Sequence, residues 1–186
     1  MNLPTIVVEH FRAPRNEGPL PDAHLRGQVE GRRLGSRIAL ALRLDDQGRV
    51  ERAAFQVQGD PSCRAGLSLL TSWLIGREAA GLAAAREEDV GAAFGLAAEQ
   101  LPLLLPPLEA LRDALWDPAR GPSPFRAPGR LVCHCLQVHE GRIARAIRGR
   151  RLTTVPEVQF WTRASTGCRS CRPEVEGLLV RELPRP

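Results

Sequence analysis

LVCHCLQV at residues 131–138 and TGCRSC at residues 166–171 hold four of the five cysteines in the chain. Cys133 and Cys135 make a CxC pair, Cys168 and Cys171 make a CxxC pair, and 32 residues separate the two. A chain so sparing with sulfur that gathers it into two tight pairs offers thiolates to a soft metal centre. The opening MNLPTIVVEHFRAPRN (1–16) has no basic stretch followed by a long apolar core, and no apolar run is long enough to span a bilayer. A cytoplasmic protein without membrane attachment is expected. In a reducing compartment, paired cysteines serve metals or redox chemistry more often than structural disulfides.

Two occupants compete for such a thiolate set, a [2Fe–2S] cluster and a structural zinc. Zinc arms usually run CxxC or longer, with strands between them. Here one arm is CxC, and the segment between the arms reads as helical. Residues 139–148 place Ile143 and Ile147 one turn apart, and TVPE (154–157) has the T-x-x-E form of a capping box with Pro in the first turn. A third helix begins near CRPEVEGLLVREL, with Pro173 in its first turn, so the second thiol pair lies at a helix start where exposed N–H groups favour anionic sulfur. His134, between two chelating neighbours, points away from a shared metal, and His139 reads as a helix-start residue.

Charge agrees with the cluster. All 26 basic side chains are Arg, and they are unevenly spread. Residues 1–125 carry 14 Arg against 16 acidic residues, whereas residues 126–186 carry 12 against 5. A basic segment can mean nucleic acid, but it also suits an anionic prosthetic group or an acidic partner. An oxidised [2Fe–2S] core with four thiolates carries a charge of about −2. The cluster is therefore the expected cofactor, zinc the alternative, and nucleic acid is not an expected partner. A segment of so few residues also has too little core to be comfortable without a staple.

Upstream, DPARGPSPFRAPGR (117–130) is rich in Pro and Gly, coincides with the change of charge sign, and reads as a linker. Before it, RIALALRLDDQGRVERAAFQV (37–57) reads as a hairpin. Ile38, Leu40, Leu42 and Leu44 alternate on one face, Asp45 to Gly48 supply the turn, and Ala53, Phe55 and Val57 alternate on the return. VEGRRLG (29–35) is a candidate third strand. Cys63 to Ile75 is expected as a helix, with further helices over 78–85, 87–99 and 107–116. The fold class is α+β: an N-terminal antiparallel sheet with helices, then a small all-helical C-terminal domain. No catalytic triad, phosphate loop or paired catalytic carboxylates appear, so an enzyme is not expected.

The segment from LVCHCLQVHEGR to GCRSCRPEVEGLL resembles the bacterioferritin-associated ferredoxin type of [2Fe–2S] domain, also found in the middle of NifU. That resemblance implies Cys133, Cys135, Cys168 and Cys171 as cluster ligands. VVEHFRAPRNEG (7–18), with His10, Pro14, Arg15 and Asn16, the hairpin, and FQVQGDPSCRAGLSLLTSW (55–73) resemble the IscU/NifU scaffold domain. The implied organisation is a scaffold-type domain over 1–116, a linker over 117–130 and the [2Fe–2S] domain over 131–183.

The scaffold family builds a labile cluster on three cysteines and an Asp. By position those slots fall here on Leu34, Ser36, Asp60 and Pro107, none of which is expected to bind. Asp60 is a hard oxygen donor, and persulfide acceptance needs a thiolate nucleophile. Cys63, three residues beyond the second slot, reads as a small buried hydrophobe. The resemblance implies a role in iron–sulfur cluster assembly or associated electron transfer. A cysteine desulfurase, an iron donor or a redox protein would be the partner, and the N-terminal domain a docking module. A dedicated electron carrier for a reductase and a zinc-stabilised interaction protein are the alternatives, and a homodimer is left open.

Overall fold

The computed structural model describes residues 4–30, 37–59, 61–126 and 129–183, with Ser62 in backbone only. These residues form two units, one ending at Arg126 and one beginning at Gly129. Leu34, Ser36 and Asp60 lie outside the described residues, as does most of the 29–35 stretch. Among the described residues, no helix is long and apolar enough to cross a membrane.

The first unit is built on the expected hairpin. Strands β1 (Leu25–Glu30), β2 (Arg37–Leu44) and β3 (Val50–Gln58) form an antiparallel sheet in that order. Leu40 sits between Gly27 and Phe55 in the register, so Ile38, Leu40, Leu42 and Phe55 face the core together. Asp45 Oδ1 accepts from the N–H groups of Gln47 (2.9 Å) and Arg49 (2.8 Å), and Gly48 takes φ +75°, which closes the turn.

Helices α1 (Thr5–Arg12), α2 (Arg64–Leu74), α3 (Glu87–Ala93) and α4 (Leu105–Ala114) complete the unit; α1 packs on α2, and α4 packs on β1 and β2. The helices expected over 78–85 and 87–99 are shorter and tighter than periodicity suggests. Ala79–Ala84 is a 3₁₀ segment. The next helix stops at Ala93, followed by Gly95 at φ +63°, and Ala98–Leu104 is again 3₁₀ with Pro102 inside it.

The opening segment owes its position to a buried polar network. Ser68 Oγ on α2 accepts from the Arg15 backbone N–H at 2.7 Å and shares a second hydrogen bond, also 2.7 Å, with His10 Nδ1. Burial and then the nearby Arg15 charge lower the His10 pKa. Phe94 stacks edge-on against the ring with centroids 5.7 Å apart. Asn16, at φ +64°, donates from Nδ2 to Thr71 Oγ1 at 3.3 Å, and its carbonyl accepts from Phe55 N–H at 3.0 Å. His10, Arg15 and Asn16 thus tie α1 to α2 and to β3.

α4 approaches β1 so closely that a Cβ on Gly27 would lie 2.0 Å from the Ala110 carbonyl oxygen. Asp113 on α4, its side chain fully buried, accepts the Gln28 backbone N–H at 2.7 Å and Arg126 Nε at 2.9 Å. Residues 117–126, expected as linker, fold back on this unit through that ion pair, a Trp116 Nε1 bond to Gly121 O (2.9 Å) and a Trp116–Phe125 ring contact. Asp113→Ala leaves the part-buried Gln28 N–H of β1 without its acceptor. Because Arg126 stays solvated, the expected cost is about 1–3 kcal/mol, read as a lower urea midpoint at unchanged slope.

The second unit contains β4 (Leu131–Cys133), β5 (Val138–His139), α5 (Glu140–Arg150), α6 (Val155–Thr162) and α7 (Arg172–Glu182). It is not all-helical as expected. β4 and β5 pair antiparallel, Leu131 opposite His139 and Cys133 opposite Val138, around a turn with Gln137 at φ +54°. Strands of three and two residues are too short to show alternation. The three helices stand as read. Thr154 and Glu157 form the capping box at α6, Glu157 accepting the Thr154 N–H at 2.9 Å, and Arg151 and Arg163 end α5 and α6 in left-handed conformations. One apolar core runs through all these elements, including Val132, Ile143, Ile147, Val158, Val175 and Leu178, together with Cys133 and Cys171.

Candidate metal centre

The four sulfurs come from two arms with different supports. Cys133 ends β4 and is wholly buried; Cys135 lies two residues on, in the turn, and is exposed. Cys168 is exposed in the loop that follows α6, while Cys171 is buried at the N-cap of α7. Each arm therefore gives one sulfur to the core side and one to the surface. Cys133 Sγ and Cys135 Sγ are 3.8 Å apart, and Cys135 Sγ and Cys168 Sγ are 3.4 Å apart. A tetrahedral metal with bonds to sulfur of about 2.3 Å spans sulfur pairs at about 3.8 Å, which the CxC pair already matches. Among the described residues, no three His, Cys, Asp or Glu donors close around a single ion position; the sulfurs lie instead as adjoining pairs.

The loop around the CxxC arm is shaped to let backbone approach sulfur. A Cβ on Gly167 would stand 2.9 Å from Cys135 Sγ. Ser165 and Arg169 take φ +61° and +62°, an uncommon conformation for side-chain-bearing residues. The hydroxyl of Ser170 and its backbone N–H, then Cys135, lower the Cys168 thiol to about 7. For Cys135 the Cys168 backbone N–H acts downward, but the side-chain bond to Cys168, burial and Cys133 together leave it raised. Ser165 Oγ is buried with no hydrogen-bond partner among the described residues, a donor to spare three residues before Cys168.

His134 is exposed and stands outside the sulfur set, as expected, and His139 is the N-cap residue of α5, its Nδ1 3.0 Å from Gly129 O. Arg148 pairs with Glu182, and Glu140 pairs with both Arg130 and Arg181, so ion pairs join α5 to α7. Sequence reasoning missed Gly167 and Ser170. The signal was there, since Gly167 precedes Cys168 and Ser170 lies two residues after it, but neither residue type marks itself as a support without the geometry.

Gly167→Ala tests that support. Cys135 is exposed and has one side-chain rotor, so the sulfur can move aside at little cost to the fold, within about 0.5 kcal/mol. Metal retention should suffer instead, measured as faster bleaching by a chelator at unchanged unfolding midpoint.

In the first unit, the slots implied by resemblance give no comparable centre among the described residues. Pro107 is buried in the first turn of α4, where a Cβ on Gly66 of α2 would lie 3.1 Å from its Cγ; it fills a helix contact. Cys63 is 1% exposed at the N-cap of α2 and is not in a disulfide.

The NifU-like N terminal domain matches residues 4–116, and the BFD-like [2Fe-2S] binding domain matches residues 131–181. The nitrogen fixation protein NifU of Azospirillum brasilense is 33% identical over 185 residues, covering 95% of this chain and 59% of that protein. The chain thus spans under two thirds of the length of the NifU relatives it resembles. The iron-sulfur cluster assembly scaffold protein IscU of Haemophilus influenzae is 35% identical over 74 residues, covering 38% of this chain and 59% of that protein. The assimilatory nitrate reductase electron transfer subunit of Bacillus subtilis is 44% identical over 48 residues, covering 26% of this chain and 6% of that protein. Among solved structures, the N-terminal part of a NifU-like protein from Brucella abortus aligns over 60% of this chain and 90% of its own, with TM-score 0.45 and 19% identity.

Proposed function

Because this chain belongs to the NifU-like N-terminal domain family and carries a BFD-like [2Fe-2S] binding domain, we propose that it is a non-enzymatic iron–sulfur protein of cluster assembly in the cytoplasm. Its C-terminal unit holds a stable [2Fe–2S] cluster through Cys133, Cys135, Cys168 and Cys171. When bound, the cluster supplies one-electron redox chemistry. The observation that carries the reading is the gathering of two sulfur arms into one place, 3.8 Å and 3.4 Å between neighbouring sulfurs.

The chain's own residues do the rest. Cys133 and Cys171 anchor the centre in the core, and Cys135 and Cys168 keep its outer edge open to a partner. Ser170 and the helix start at Arg172 present N–H and O–H groups that favour anionic sulfur. The first unit serves as the docking module for a cysteine desulfurase or another assembly protein. Its third ligand slot is packed with Pro107, which supports binding without cluster chemistry of its own.

A second reading, an electron carrier for a reductase, is favoured by the exposed sulfur pair and by the likeness to a relative named as an electron transfer subunit. One measurement separates both from a zinc protein. Anaerobically purified chain should be red-brown, with about two iron and two sulfide per chain and a rhombic or axial EPR signal on reduction. A colourless preparation with stoichiometric zinc would sink the iron reading.

A further inference from the structure

We propose that Cys135 and Cys168 form a disulfide across the two arms whenever the thiols are not engaged by a metal, so that the centre carries its own oxidative lock. The pairing rests on position. These are the two exposed sulfurs of the four, and they stand 3.4 Å apart although their residues are 33 apart in sequence. Closing to a bond of about 2.05 Å asks for rotation of two surface side chains. The competing partners are worse placed. Cys133 and Cys171 are fixed within the apolar core, and Cys133 Sγ is farther from Cys135 at 3.8 Å. Cys168 is exposed in the loop, whereas Cys171 is buried at the N-cap of α7. Gly167 keeps the approach open, since it places no side chain against Cys135 Sγ.

The oxidant is a small disulfide of the glutathione class. One exposed thiolate attacks its S–S bond, forming a mixed disulfide and releasing one thiolate. The neighbouring protein thiolate then attacks the protein sulfur of that mixed disulfide and expels the second. Two protein thiols lose two electrons and two protons, and the oxidant becomes two thiols. The bond removes one donor from each arm, leaving Cys133 and Cys171 alone. Its consequence for cluster loading rests on the ligand assignment proposed above; the pairing itself does not.

The experiment uses the full chain, stripped of metal by a chelator under reductant, desalted without oxygen and exposed to oxidised glutathione. Free thiols are then blocked and the chain is cut with trypsin. Cleavage after Arg130, Arg142, Arg163 and Arg169 puts Cys133 and Cys135 on one peptide, Cys168 on 164–169, and Cys171 on a third. The expected product links the first peptide to 164–169, survives in Cys133→Ala, and is lost in Cys135→Ala with a glutathione adduct left on Cys168. A link between 164–169 and the Cys171 peptide, a link from the first peptide to Cys171, or scrambled pairing would overturn the proposal. The oxidised chain should then take up no cluster from iron and sulfide until dithiothreitol is added, while the reduced chain does. Equal loading of both forms overturns the lock, whereas failure of the reduced chain to load at all overturns the ligand assignment instead.

Discussion

Cys133→Ala is expected to remove nearly all iron from the chain, whereas Cys63→Ala, a change at an equally buried thiol, is expected to leave iron content and spectrum unchanged. The two residues are matched for exposure, 0% and 1%, so lost packing is similar in both, about 1–2 kcal/mol for one small buried side chain. The difference between them reports ligation alone. Stability should diverge as well. Metal binding to a small unit is coupled to its folding, and a core the size of the one within residues 129–183 rarely supplies more than about 3–5 kcal/mol by itself. The Cys133 variant should therefore lose helix signal over that unit at temperatures where the Cys63 variant keeps it, measured by far-UV circular dichroism beside iron counts. If Cys63→Ala halved the iron, Cys63 would have to be a ligand and the four-thiol assignment would fall.

What could be read from residues alone followed from how local the cause is. The hairpin at 37–57 shows plainly because alternation of Ile38, Leu40 and Leu42 and the Asp45–Gly48 turn are both short-range. The capping box at Thr154 is equally local. The thiol arms announced themselves by spacing. Legibility failed where tertiary contact decides. β4 and β5 are too short for a period, and they pair because the turn through Gln137 brings Val138 back beside Cys133. The segment 79–104 has helical composition, yet extended backbone at Ala85 and Arg86 and the turn at Gly95 divide it into a short helix and two 3₁₀ pieces, the second holding Pro102. Residues 117–126 have the composition of a linker, and only the buried Asp113 carboxylate, waiting for a cation, explains why Arg126 holds them down. The role of His10 likewise depends on Ser68, 58 residues away.

The full chain with Cys133, Cys135, Cys168 and Cys171 all changed to Ala is expected to assemble no cluster when supplied with iron, cysteine, reductant and a cysteine desulfurase. This is the sharpest statement about the first unit, because it leaves that unit intact and removes every thiol but Cys63. One sulfur cannot close a four-ligand centre. Cys63 is also held in the core at the start of α2, where a transferred sulfur would meet packed side chains. The slots implied by the family offer nothing better, since Leu34, Asp60 and Pro107 lack a nucleophilic sulfur and Ser36 stands in place of a carboxylate. Pro107 is committed further, by its contact with Gly66 of α2. Placing thiols back as Leu34→Cys, Asp60→Cys and Pro107→Cys, with Ser36→Asp, gives the unit the donors it lacks. Visible charge-transfer absorption should return in that background at some cost in stability from the opened α2–α4 contact. The unmodified first unit decides the matter: if the four-alanine chain gains colour and passes iron and sulfide to an apo-ferredoxin, the unit performs assembly chemistry, and docking is not its whole role.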